Sequence, residues 1–174
     1  NAGVNAPRVE FWVTRTDTVR AVVDTNIIGV MNGCQVAIRG MLAQGGGQVW
    51  NEEGFGSNGK FLPGMTLYGT TKSALTYFTN ALIREVEGTN VQVCVLNPGM
   101  VDTDMLRHEY TPEQWEKSKR ILNILTDKVE TVTPVLAEKI LAADKNGAKV
   151  EWLSNGKIAV RFLTARIKPR HVVD

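Results

Sequence analysis

The chain has 174 residues, the size of one ordinary domain and enough to bury a real core. Hydrophobic residues make up 43% and charged residues 22%, a globular composition that excludes a low-complexity chain. The net charge is +2 with basic residues spread along the chain, so no nucleic-acid partner is expected.

Asn1-Ala2-Gly3-Val4-Asn5 opens without an initiator methionine and reads as a loop, so the chain is expected to be a fragment. From Thr18 to Gln44, Val23, Ile27, Val30, Met31, Cys34, Ile38 and Met41 recur at helical spacing. Asp17 or Thr18 is the expected cap of this helix, and Gly45-Gly46-Gly47 its end. Gln48 to Asn51 is a short strand, and the glycine-rich stretch from Glu52 to Gly64 a loop. A second long helix covers Thr66 to Glu87, with Leu75, Phe78, Leu82 and Val86 on one face. Val91 to Leu96 is nearly all apolar, as in a strand covered on both faces, and Pro98-Gly99 breaks it. Helices follow from Thr111-Pro112-Glu113 and over about Thr133 to Ala143. A strand from Ala148 to Leu153 and an amphipathic helix from about Gly156 to Ile167 complete the chain.

Alternating helices and strands imply crossover connections, an α/β fold and a mainly parallel sheet, within one domain spanning 1–174. Ligands of such sheets sit outside the carboxyl ends of the strands, here Asn51–Gly64 and Asn97–Asp104. Cys34 and Cys94 each lie in an apolar stretch and read as buried thiols of a reducing compartment, so the expected location is cytoplasmic. No signal peptide and no unbroken apolar run of about 18 residues occurs, so no membrane span is expected. His108 and His171 have no second ligand at metal spacing, so no metal is assigned.

Tyr68 and Lys72 stand four apart at the start of the second helix, which puts both side chains on one face. A phenol is a poor acid or base near neutrality, with a reference pKa of about 10, and a nearby ammonium pulls that value down. Such a phenol can exchange a proton with a carbonyl or alcohol oxygen while hydride moves at its carbon. By itself, Tyr-x-x-x-Lys also fits a plain surface face.

The wider stretch Pro63-Gly64-Met65-Thr66-Leu67-Tyr68-Gly69-Thr70-Thr71-Lys72-Ser73-Ala74-Leu75 resembles the active-site helix of the short-chain dehydrogenase/reductase family. Asn97-Pro98-Gly99-Met100-Val101-Asp102-Thr103 is similar to that family's Pro-Gly loop under the nicotinamide. Asp24-Thr25-Asn26-Ile27-Ile28-Gly29-Val30 resembles the mid-helix segment whose Asn holds a water relay to the lysine, and Asn1-Ala2-Gly3 the end of the turn beside the adenosine.

The resemblance implies a partial Rossmann-like, doubly wound parallel sheet lacking the first βαβ unit. It implies a reductase or dehydrogenase of a small-molecule carbonyl or alcohol substrate. Catalytic roles fall to Tyr68, Lys72 and Asn26, and cofactor contacts to Asn1, Ala2, Gly3, Tyr68, Lys72, Pro98, Gly99, Val101 and Thr103. The phosphate turn would precede Asn1, so the fragment alone is expected to bind cofactor poorly and be inactive. Phe55 stands thirteen residues before Tyr68, where the family has its serine; Ser57 is either its replacement or a turn serine.

The loop 51–59, Ile121 to Val132 and Val150-Glu151-Trp152-Leu153-Ser154 with its basic helix are similar to the chlorophyll b reductase branch. That branch leans toward NADP over NAD. Residues 104–132 correspond to the family's substrate lid, although Met100, Met105, Leu106 and Trp115 also suit a core. In the last helix Lys157, Arg161 and Lys168 oppose Ile158, Phe162, Leu163 and Ile167, which fits a packed helix or peripheral membrane contact. Helices 18–44 and 66–87 offer an assembly face for a homo-oligomer of the full-length protein. A non-catalytic binding relative, or an epimerase or dehydratase on the same fold, remains an alternative.

Overall fold

A computed structural model describes residues 3–108 and 110–174. They form two units: Asn1–Leu96 with Ala143–Lys149, and Asn97–Ala142 with Val150–Asp174.

In the first unit, α1 (Thr16–Val23), a π-helical segment (Asp24–Gly29) and α2 (Val30–Gln44) run on as one rod. It starts two residues before Thr18, because Asp17 works within the first turn, where it pairs with Arg15 at 2.6 Å and accepts the Thr18 N–H. Gly45 ends α2 at φ 98°, a left-handed conformation that glycine adopts without Cβ strain. After β1 (Gly47–Glu52), α3 (Thr66–Glu85) crosses over to β2 (Val91–Asn97). The two strands pair in parallel from Gly47↔Val91 to Glu52↔Leu96, a geometry that needs such a crossover. Gly147 N–H bonds Val93 O at 2.9 Å and Val95 N–H bonds Ala148 O at 2.8 Å, leading into β5 (Lys149–Glu151) in the order β1–β2–β5.

Val86, Val91 and Val93 form the core here, packed by Ile38, Met41, Val49, Leu82 and Ile83. A second cluster joins Val22 and Leu67 to Ala6. Cys34 and Cys94 are free, buried thiols. By length and composition the rod Thr16–Gln44 is apolar enough to cross a membrane, with a mean hydropathy of 1.3 over its best window. Its Val22, Asn26 and Cys34 are buried inside the unit, while only 17% of that window is buried. Gly33 and Gly40 lie within α2, and a Cβ added at either meets nothing within 4 Å. Gly33→Ala and Gly40→Ala are each expected to raise unfolding free energy by about 0.5–1 kcal/mol, read in a denaturant melt. An unchanged or lowered midpoint would show that this helix face is already covered.

In the second unit β3 (Met100–Asp102) pairs in parallel with β4 (Thr126–Lys128). Around them lie α4 (Asp104–His108), α5 (Pro112–Leu125), α6 (Val129–Leu141) and α7 (Asn155–Thr164). The elements β3, β4 and α4 are too short for any periodicity to show. Thr111 and Gln114 close a reciprocal capping box at the head of α5, with bonds of 3.2 and 3.0 Å. Leu106, Leu122 and Val173 are buried together with Met100 and Trp115 against them, so three of the four lid candidates serve as core, while Met105 is exposed.

The last helix turns Lys157 and Arg161 inward, while Lys168, beyond its end, is exposed. Lys157 sits over the Trp152 ring, and Arg161 bonds Asp127 at 2.6 Å, whereas Leu163 and Ile167 are 79% and 87% exposed. Asp127 also accepts from Trp152 Nε1 at 2.7 Å and from Arg170. Both arginines in addition cap the carbonyls at the end of α5, Arg161 at Leu125 and Arg170 at Ile124.

Candidate active site

Tyr68 and Lys72 share one face of α3, one turn apart. Lys72 is 9% exposed; its Nζ lies 5.8 Å from the centre of the Tyr68 ring and donates to the Glu52 carbonyl at 3.0 Å. Burial pulls its ammonium below the ordinary lysine value, against the opposing charge of Glu52. The amine is therefore held inside the unit, at the carboxyl end of β1, and not in bulk water. Tyr68 is half-buried beside it.

Asn26 is 2% exposed in the middle of the π-helical segment. Its Oδ1 accepts the Val4 N–H at 2.9 Å, and its Nδ2 donates to Val4 O at 2.9 Å and to Thr71 Oγ1 at 3.2 Å. One side chain thus pairs with both backbone groups of Val4. Thr71, wholly buried, in turn donates to the Tyr68 carbonyl at 2.8 Å. Such π-helical turns interrupt helices often at functional sites, and this one points an amide into the core. Gly3, next to Val4, is partly buried; Asn1 and Ala2 lie outside the described residues.

The loop after β1 is bound along α3. Ser57 Oγ accepts the Gly54 N–H at 3.1 Å and donates to the Lys72 carbonyl at 3.3 Å. Ser73 Oγ donates to Gly56 O at 2.7 Å, and Thr76 Oγ1 to Ser57 O at 3.3 Å. Gly56, at φ 102°, passes so close to Gly69 that a Cβ would lie 2.6 Å from its Cα. The residue whose side chain would meet the Tyr68 hydroxyl is Gly54, whereas its neighbour Phe55 is exposed. Gly54 stands one residue before Phe55, in the glycine-rich loop after β1.

Asn26, Ser57, Tyr68 and Lys72 are thus brought together in the first unit, while Pro98, Gly99, Val101 and Thr103 belong to the second. There Gly99 turns at φ 72°, donates its N–H to Asn97 Oδ1 at 3.0 Å, and leaves no room for a Cβ against Leu153. Val101 lies in β3, and the exposed Thr103 stands at the head of α4, its carbonyl accepting the Arg107 N–H. Thr71, Gly54 and the Glu52 carbonyl are the site components that no motif singled out. Each contributes backbone or a buried hydroxyl, which leaves no residue-type signature.

The family model for short chain dehydrogenases matches residues 1–114. The chain is 34% identical over 169 residues to the chloroplastic chlorophyll(ide) b reductase NOL of Arabidopsis thaliana, covering 94% of this chain and 46% of that protein. To the Oryza sativa protein of the same name it is 37% identical over 172 residues, covering 94% and 47%. The chain therefore spans about half the length of these relatives. It is 32% identical to an acetoacetyl-CoA reductase of Cupriavidus necator, covering 89% of this chain and 56% of that protein. In fold it is similar to a gluconate 5-dehydrogenase of Burkholderia cenocepacia solved with NADP and tartrate. That likeness has a TM-score of 0.72 at 22% identity and covers 92% of this chain and 63% of that one.

Proposed function

The chain belongs to the short-chain dehydrogenase/reductase family, and from that premise we propose that the full-length protein is an NAD(P)-dependent reductase of a carbonyl substrate. One observation carries this reading: Lys72 is buried with its amine beside the Tyr68 ring. An ammonium so placed favours the phenolate, which makes the phenol a usable proton donor.

The donor set at Lys72 fits a nicotinamide cofactor. An ammonium has three donors, and the structure records one of them, on Glu52 O. The others suit ribose hydroxyls. The cofactor, when bound, supplies the hydride. Tyr68 gives its proton to the carbonyl oxygen, and Lys72 holds the ribose and balances the charge left on the phenol. Asn26 locks α3 to the rod through Thr71, which keeps Tyr68 and Lys72 in place, and supports a water relay toward Lys72. Backbone groups at Gly3, Pro98, Gly99 and Val101 and the Thr103 hydroxyl are further cofactor contacts in this proposal. NADP is favoured over NAD because the similar structures include NADP complexes. The relatives' names share only that they are reductases, and only reduction is carried over from them. Exposed Val36, Leu42 and Tyr77 on α2 and α3 suit self-association of the full-length protein.

The test is deuterium-labelled NADPH offered to the full-length protein with a panel of aldehydes and ketones. Deuterium at the new carbinol carbon, with oxidised cofactor formed mole for mole, is the expected result. A cofactor retained without net consumption would point instead to epimerase or dehydratase chemistry. No turnover at all would favour a binding relative, a reading to which Phe55 standing in place of the family's serine lends weight.

A further inference from the structure

Gly54 lies against the ends of the Tyr68 and Lys72 side chains. A Cβ at this position would lie 2.7 Å from Tyr68 Oη, 3.1 Å from Lys72 Cε and 3.3 Å from Lys72 Cδ. Real Cβ atoms do not approach so closely, so any side chain forces a movement. The loop is poorly placed to make it. Glu52 O is held by Lys72 Nζ, the Glu53 N–H by Leu96 O at 2.8 Å, and Gly56 O by Ser73 Oγ. Gly54 itself is tied in both directions to Ser57, through its N–H to Oγ and its carbonyl to the Ser57 N–H, each at 3.1 Å. Behind the loop, Gly56 is already against the backbone of Gly69. The ends of two long side chains, the phenol and the lysine stem, are what can yield.

We propose that Gly54 is a positioning residue, whose bare α-carbon lets the Tyr68 hydroxyl and the Lys72 stem share one seat against a clamped loop. The inference rests on the reading of Tyr68 as the acid/base group. A side chain at 54 leaves the fold standing and misplaces the phenol relative to the ammonium and to the substrate oxygen. Displacements of about 1 Å cost on the order of 100-fold in rate when they fall on a reacting group.

The experiment compares wild type, Gly54→Ala, Tyr68→Phe and the remote Gly33→Ala in the full-length protein. Readouts are kcat and KM with a carbonyl substrate from the panel, NADPH binding by fluorescence, circular dichroism, and the pH profile of kcat. For Gly54→Ala, kcat is expected to fall roughly 10–100-fold with NADPH binding retained. The limb of the profile that belongs to residue 68 should move to higher pH, because the phenol then sits farther from the Lys72 charge. Gly33→Ala should keep the wild-type rate. Wild-type kcat in Gly54→Ala alongside a dead Tyr68→Phe would overturn the role of Gly54 and leave the proposed function standing. A rate that drops only with the folded fraction, the limb unmoved, would also overturn it. Equal rates in wild type and Tyr68→Phe would instead remove the function reading itself.

Discussion

Tyr68→Phe is expected to slow carbonyl reduction by about 100- to 10,000-fold, the range that one positioned general acid supplies. The substitution removes only the hydroxyl, so the half-buried ring keeps its packing against the loop and its place on α3. NADPH binding should stay within a few-fold of wild type, because the Lys72 amine remains anchored on Glu52 O. The loss should therefore appear in kcat, and steady-state NADPH oxidation by the full-length protein measures it. Lys72→Met should lose rate as well, and also weaken cofactor binding, since it removes both a charge and the ribose donors. A Tyr68→Phe protein that turns over as fast as wild type would show that some other group protonates the oxygen.

Asp127→Ala is expected to destabilise the second unit by about 3–5 kcal/mol, the cost of leaving buried charge without its partner. The Asp127 side chain is 7% exposed, and those of Arg161 and Arg170 are 11% and 26%. Two guanidinium groups and the Trp152 indole N–H converge on this one carboxylate. Burial alone would push the carboxyl upward. The Trp152 and Arg161 hydrogen bonds and the charges of Arg161 and Arg170 outweigh it and leave the value lowered. A lowered folded value means that the stabilisation is complete above the ordinary carboxylate pKa of about 3.9 and fades as pH falls through the folded value. The wild-type midpoint should therefore drop in strong acid, and Asp127→Ala should remove that part of the pH dependence. At neutral pH the mutant should melt roughly 6–20 °C lower, as read by calorimetry. A shift below about 2 °C would show that the cluster behaves as an exposed ion pair.

The long elements were legible in order and type. Each of the rod, α3 and β2 repeats its apolar residues over several turns or a full strand, so periodicity carries a signal. β3, β4 and α4 have three to five residues each and carry none. The π-helical segment was hidden as well, since it changes hydrogen-bond spacing and not residue type. In the last helix the expected basic and apolar faces do not sort as read: Lys157, Ile158 and Arg161 are partly buried, while Leu163, Ile167 and Lys168 are exposed. Arg161 points inward because Asp127, far off in sequence, and the carbonyls ending α5 need cations.

By itself, then, the order of residues determined the α/β class and the parallel crossover, and through its family resemblance it pointed to the pair Tyr68 and Lys72 with Asn26 upstream. These depend on local spacing and on recognisable side chains. What only the tertiary structure decided is which groups stand beside that pair: the Glu52 carbonyl under the amine, Thr71 under Asn26, and the bare Gly54 against the phenol. The first and last of these come from the end of β1 and the turn after it lying along α3, and the second from the rod packing on α3. A contact made by backbone, or by the absence of a side chain, has no letter of its own in a sequence and exists only once the chain has closed on itself.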